Sequence, residues 1–136
     1  MQTVVAFGTF DILHPGHIAY IHYALTLGTH LIVVVTPDAV VHRRKKKPPL
    51  FTQAERIKMV SAIRGVDKVV LGDRDESWKV IDRLHPDILC FGYDQKEAIA
   101  AFRKTKMEKL AYPIVIKRAP AVRAKRYHST LLKSFV

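Results

Sequence analysis

Cysteine is nearly absent: Cys90 stands alone among 136 residues. The chain can therefore build neither an internal disulfide nor a zinc site of paired cysteines, and a bridge-held extracellular scaffold is excluded. Long apolar runs are missing too, since the longest, such as Leu31 to Val35, fall far short of the ~20 residues a membrane helix needs. Acidic residues are scarce, 12 against 23 Lys and Arg, which leaves a formal charge of +11 with His neutral and attracts polyanions in general. Glycine and proline number only 6 and 7, too few for a low-complexity chain. The first residues carry no basic segment, long apolar stretch or small-residue cleavage site of a signal peptide, and a cytoplasmic protein is expected. Two common phosphate-binding loops, G-x-x-x-x-G-K-S/T and G-x-G-x-x-G, do not occur, which argues against a P-loop hydrolase and a nicotinamide dehydrogenase.

What is present is an ordinary globular composition, 49% apolar, of a length that suits one domain spanning residues 1–136. Thr3 to Phe7 is short, apolar and rich in β-branched residues, and Gly8 stops it, so it reads as a buried strand. Pro15 suits a first helical turn, Ile18, Ile21 and Leu25 recur at helical spacing, and Gly28 is a helix stop, which predicts a helix over 15–27. Leu31 to Val35 is a second buried strand, followed by a polar, basic loop from Thr36 to Leu50. Thr52 and Glu55 form a capping box ahead of a helix that Gly65 ends. Lys68 to Leu71 and Ile88 to Phe91 read as strands flanking a helix over 77–84. A helix over 97–110, a fifth strand over 114–116 and a closing helical turn over 129–136 complete the chain. Strand and helix alternating throughout imply a parallel sheet covered on both faces: a single Rossmann-like, doubly wound α/β domain with five parallel strands in the order 3-2-1-4-5. Ligands in such sheets bind beyond the carboxyl ends of the strands where the order reverses, between the first and fourth. Gly8 to His17 and Gly92 to Gln95 are therefore the segments of interest.

The first of these reads Gly-Thr-Phe-Asp-Ile-Leu-His-Pro-Gly-His. Gly8 allows a close backbone approach, Thr9 offers a hydroxyl and an N–H, and a helix starting at Pro15 directs unpaired N–H groups and its positive dipole end at the same space. His14 and His17, three positions apart around a Pro-Gly corner, can turn both imidazoles toward one anion. A triphosphate suits two such groups at a helix start. Asp11 has two readings, a ligand for a divalent cation or a cap on nearby backbone N–H groups. The run Arg43-Arg44-Lys45-Lys46-Lys47 is either a solvated face or a phosphate contact. Trp78 reads as helix packing, while Phe91, Tyr93 and Tyr127 are candidates for stacking or packing. Cys90 reads as a small core residue.

The Gly8 to His17 stretch strongly resembles the signature of the cytidylyltransferase-like family. Its members include glycerol-3-phosphate cytidylyltransferase, phosphopantetheine adenylyltransferase and archaeal FAD synthase. The likeness continues through Thr36-Pro37-Asp38, the basic loop, Glu55-Arg56 and Gly92-Tyr93-Asp94-Gln95, and weakens after Lys117. The Gly-Tyr-Asp-Gln segment looks most like archaeal FAD synthases, which transfer AMP from ATP to FMN. The R-T-E-G-I-S-T-T signature of the glycerol-3-phosphate enzymes is met here only by Arg118 and Ser129-Thr130. The resemblance implies a nucleotidyltransferase in which the acceptor phosphate attacks the α-phosphorus in line and pyrophosphate leaves. It implies catalytic roles for His14, His17, Lys46 and Arg118, with Lys47 and Arg126 as alternatives to the last two. Nucleotide contacts are expected from Gly8, Thr9, Phe10, His14, Pro15, Gly16, His17, Asp94, Ser129 and Thr130. A divalent cation, Mg²⁺ in the first instance, is the expected cofactor and Asp11 its candidate ligand. ATP or CTP is the expected donor, FMN or a small alcohol phosphate such as glycerol 3-phosphate the acceptor, and a homodimer the expected assembly. A reading from another class, a basic nucleic-acid-binding module, rests on the +11 charge and the basic loop and meets no helix-turn-helix, RNP or zinc-finger pattern.

Overall fold

A computed structural model describes residues 2–121. Five parallel strands, β1 (Thr3–Gly8), β2 (His30–Val35), β3 (Lys68–Leu71), β4 (Ile88–Phe91) and β5 (Val115–Arg118), form one sheet in the order β3-β2-β1-β4-β5. The expected doubly wound order is thus observed. The helices are α1 (Pro15–Leu25), α2 (Asp38–Lys45), α3 (Gln53–Ser61), α4 (Lys79–Leu84) and α5 (Lys96–Thr105), with a 3-10 turn at Met107–Lys109.

The side-chain period of two sends alternate strand residues to opposite faces. Val4, Ala6, Leu31, Val33, Val35 and Cys90 pack with Ile21 and Ala24 of α1 and Val60 of α3. Val5, Ile32, Val34, Leu89 and Phe91 pack with Val80 and Ile81 of α4 and Ile99 and Phe102 of α5. Each fully buried Val, Leu, Ile or Phe among them contributes about 1.5–3 kcal/mol, and the central strands are apolar on both faces for that reason. Trp78 joins the second layer edge-on to Phe7 and Phe102, at centroid separations of 5.6 and 5.2 Å.

Three departures from the sequence reading have physical causes. The basic stretch expected as loop contains α2, whose Asp38 lies in the first turn and whose His42, Arg43, Arg44 and Lys45 lie in the last; both placements complement the helix dipole. The helix expected over 97–110 ends at Thr105 and gives way to the 3-10 turn. The fifth strand runs to Arg118, which pairs with Phe91. The expected helical turn over 129–136 lies outside the described residues. Among the described residues no helix is long and apolar enough to cross a membrane.

The sheet opens where its order reverses. β1 stays registered with β2 to Gly8–Val35, but its pairing with β4 stops at Ala6–Cys90. Beyond that rung, side chains replace backbone. The Tyr20 hydroxyl accepts the Phe7 N–H at 3.0 Å and donates to the Cys90 carbonyl. The Gln95 amide donates to the Phe7 carbonyl at 3.1 Å and accepts the Gly92 N–H at 2.6 Å. One residue from α1 and one from the start of α5 thus keep the two strand ends apart with every backbone group paired.

Candidate active site

The crevice is walled on one side by the loop from Gly8 to His14. Packing alone already disfavours a side chain at Gly8. A Cβ on it would lie 2.6 Å from Phe10 Cε2, because Phe10, at φ 54°, folds its ring back over the strand end. That ring is 2% exposed and lies 5.3 Å from the His17 ring. The side chain of Phe10 therefore packs as a support for His17. Thr9 keeps its place through its carbonyl, which accepts from Arg56 Nη1 at 2.9 Å.

His14 is the N-cap of α1, and its Nδ1 accepts the Gly16 N–H at 3.1 Å. An accepting Nδ1 assigns the ring proton to Nε2. Pro15 has no N–H, and those of His17 and Ile18 bond to the His14 carbonyl at 2.9 and 3.2 Å. The expected row of unpaired N–H groups at this helix start, Gly16's included, is thus taken up locally. The helix dipole still favours an anion at this end.

The two rings are stacked, with centroids 3.8 Å apart and planes 29° from parallel. Burial, followed by the neighbouring His14, lowers the pKa of His17 to about 4, against an opposing contribution from the Ile12 backbone. Its Nδ1 is buried and meets no partner at hydrogen-bond geometry. His17 is neutral at pH 7, and an anion in contact with it would restore the charge that burial removes.

Asp11 is 1% exposed. Its Oδ2 accepts the Leu50 N–H and its Oδ1 the Phe51 N–H, both at 2.8 Å. Of the two readings the geometry favours the cap: the carboxylate fastens the returning end of the basic loop to the crevice wall. As a metal ligand it fits poorly, and among the described residues no three His, Cys, Asp or Glu side chains stand together as a cation site. Arg56 completes the fastening. Fully buried, it donates to the carbonyls of Phe51, Thr9 and Thr36 and to Asp38 Oδ1, at 3.1, 2.9, 2.7 and 2.6 Å. One guanidinium thereby ties together the segments that follow β1 and β2 and precede α3. The sequence pattern Thr52–Glu55 located its helix but not this role.

Lys46 caps α2 in the left-handed conformation, φ 62°, and is exposed. Leu50 is four peptide steps further on, so the Lys46 Cα lies within about 14 Å of that anchored position. Across the crevice Asp94 is exposed, and Arg118 donates through Nε to the Tyr93 carbonyl at 2.9 Å and through Nη2 to the same oxygen. Arg118 is thus brought beside the Gly92–Gln95 segment. Gln95 was inside that segment but was not picked out, since an amide that bridges two strand ends leaves no periodic signal. Lys46 stands at the end of α2 and Arg118 at the end of β5. Ser129, Thr130, Arg126 and Tyr127 lie outside the described residues.

On the other face of the sheet a cleft of about 140 Å³ opens among Phe7, Thr36, Pro37, Val40, Trp78 and Arg44. It is mostly apolar and shares Phe7 and Thr36 with the crevice.

A family model described as "Cytidylyltransferase-like" matches residues 5–135. The chain belongs to the cytidylyltransferase-like family. It is 47% identical over 95 residues to an FAD synthase of Archaeoglobus profundus, an alignment covering 70% of this chain and 60% of that protein. With an FAD synthase of Aciduliprofundum boonei the identity is 45% over 96 residues, covering 71% and 64%. With that of Methanobrevibacter smithii the identity is 36% over 138 aligned positions, covering 98% and 86%. The matched part thus spans about 60% of the first two relatives and most of the third. Among solved structures, a lipopolysaccharide core biosynthesis protein from Thermoplasma volcanium superposes with a TM-score of 0.81 at 37% identity, covering 90% of this chain and 98% of that one. A pantothenate synthetase from Thermus thermophilus shares the fold, with a TM-score of 0.63 at 14% identity over 92% and 58% of the two chains.

Proposed function

We propose that this cytidylyltransferase-like chain is an FMN adenylyltransferase, joining AMP from ATP to FMN to give FAD and pyrophosphate. The observation that carries the reading is the stacked His14–His17 pair beside the β1–β4 crevice, in a chain that aligns over 98% of its length with an archaeal FAD synthase.

The chemistry asks for little base. An FMN phosphate oxygen, already ionised, attacks the α-phosphorus of ATP, a new P–O bond forms, and the bond to the β-phosphate bridging oxygen breaks. The protein's part is to bring two anions together and to place donors where charge accumulates. His14 presents Nε2–H from a ring oriented by the Gly16 N–H, and His17 supplies the second donor from a buried position. Lys46 and Arg118, at the ends of α2 and β5, are the cations that can close on the leaving and attacking phosphates, while Asp94 and the Tyr93 backbone border the nucleoside side. Mg²⁺ would neutralise part of the polyphosphate charge, and its ligands in this reading are phosphate oxygens rather than Asp11. The cleft bearing Trp78 offers the apolar surface a flavin ring needs.

The test is a product assay. Purified protein is incubated with FMN and Mg²⁺ and with ATP or CTP in separate tubes, and the flavins are separated by chromatography. FAD is expected with ATP and no new flavin with CTP. No FAD with ATP, together with a CTP-dependent product from glycerol 3-phosphate, would overturn the assignment.

A further inference from the structure

At the mouth of the Trp78 cleft a carboxylate holds two arginines of α2. Arg44 donates through Nε to Glu76 Oε1 at 2.9 Å and through Nη2 to the same oxygen. Arg43 Nη2 donates to Glu76 Oε2 at 2.8 Å and to the Arg74 carbonyl at 3.0 Å. We propose that Glu76 is a latch: Arg44 leaves it for the phosphate of the incoming acceptor while Arg43 stays, so that this triad sets the preference for a phosphorylated over an unphosphorylated flavin. The proposal rests on the FMN adenylyltransferase reading and goes beyond it in naming what selects the acceptor.

Three observations carry it. Arg44 and Glu76 line the cleft together with Trp78 and Phe7, so an exchange of partners by Arg44 takes place at the cleft mouth. The pair is also cheap to open: the side chains of Arg44 and Glu76 are 58% and 35% exposed, and ion pairs in such contact with water are weak. Glu76 keeps Arg43 throughout, which is itself anchored on Arg74, so the carboxylate is never left without a cation. Finally, the loop that carries Glu76 is held in a strained form. Glu76 and Trp78 have φ of 56° and 65°, and Asp73 pins both ends of the turn by accepting the Glu76 N–H on its carbonyl at 3.2 Å and the Val80 N–H on Oδ2 at 2.7 Å. Left-handed non-glycine residues persist where the surroundings fix them, and they gather at ligand clamps. A fixed loop makes the arginine side chain the moving part.

The latch predicts opposite effects from its two partners. Glu76→Gln removes the competitor and is expected to lower KM for FMN about two- to fivefold, the scale of an exposed ion pair. Arg44→Ala is expected to raise it about tenfold, the scale of a charge-assisted hydrogen bond. In both variants the Ki of riboflavin as a competitor and the KM for ATP should stay at wild-type values, since riboflavin has no phosphate for Arg44 to meet. If Glu76→Gln shifts riboflavin and FMN alike, Glu76 only shapes the loop and the latch is refuted. An unchanged KM for FMN in Arg44→Ala refutes it as well. Wild-type protein that forms no FAD overturns the parent reading, and the latch falls with it; FAD formation with unmoved constants in both variants overturns the latch alone.

Discussion

His17 is a base that has been made unwilling to take a proton. Burial and the stacked His14 ring lower its pKa to about 4, whereas in the unfolded chain it titrates near the ordinary histidine value of 6.5. Between these values the unfolded state binds the extra proton and the folded state does not, so stability present above pH 6.5 is lost as the pH falls through 4. The difference amounts to about 3 kcal/mol. Urea unfolding at pH 7 and pH 4 should show the wild type losing about that much more stability than His17→Gln, which has no proton to gain. Equal losses in the two proteins would mean that the imidazole is not held neutral. The spacing His14-Pro15-Gly16-His17 made the pair legible from sequence alone. The burial that discharges one ring was not legible, because Phe10, whose ring lies against His17, folds back over Gly8 in a left-handed conformation.

The elements with strong local signals were readable: β1 and β2 from continuous β-branched runs, α1 from Pro15, and α3 from its capping box, in which Thr52 and Glu55 cap each other's N–H groups. α2 was not, since eight residues with only Val40 and Val41 buried present no helical period. Its charge pattern, acid first and bases last, was the signal that could have found it. The fastening of its far side by Asp11 was open between two roles, and a substitution separates them. Asp11→Asn keeps one acceptor but turns an NH₂ toward a buried N–H, at a cost of about 1–3 kcal/mol. Thermal unfolding should therefore detect a loss of stability, and, if the wild type forms FAD as proposed, a lowered rate in the variant should not recover when Mg²⁺ is raised tenfold or more. Full stability with activity restored by extra Mg²⁺ would return Asp11 to the role of a cation ligand.

For the molecule as a whole, the strand order was legible because right-handed crossovers leave few arrangements of alternating strands and helices, and the order in turn located the crevice. The sequence could not say what holds the crevice open. Tyr20 sits on a helix face that reads as core, yet its hydroxyl is a rung between β1 and β4, and burial pushes its pKa far up, so it remains a donor. Its opposite number, Gln95, comes from 75 residues further along the chain, a separation over which no local pattern carries information. If these two side chains set the width of the nucleotide site, folding stability and nucleotide binding are coupled through them. ATP at about a hundredfold excess over Kd stabilises a binding-competent fold by about 2.7 kcal/mol. Tyr20→Phe should lower the intrinsic stability by about 1–3 kcal/mol, the cost of leaving the Phe7 N–H and Cys90 carbonyl unpaired. At the same ATP concentration it should also show a smaller rise in Tm than the wild type, because the strand ends are no longer held at the spacing that suits the ligand. An unchanged ATP-induced rise in a destabilised Tyr20→Phe protein would show that the phenol supports the sheet without setting the site, and would leave the width of the crevice to Gln95.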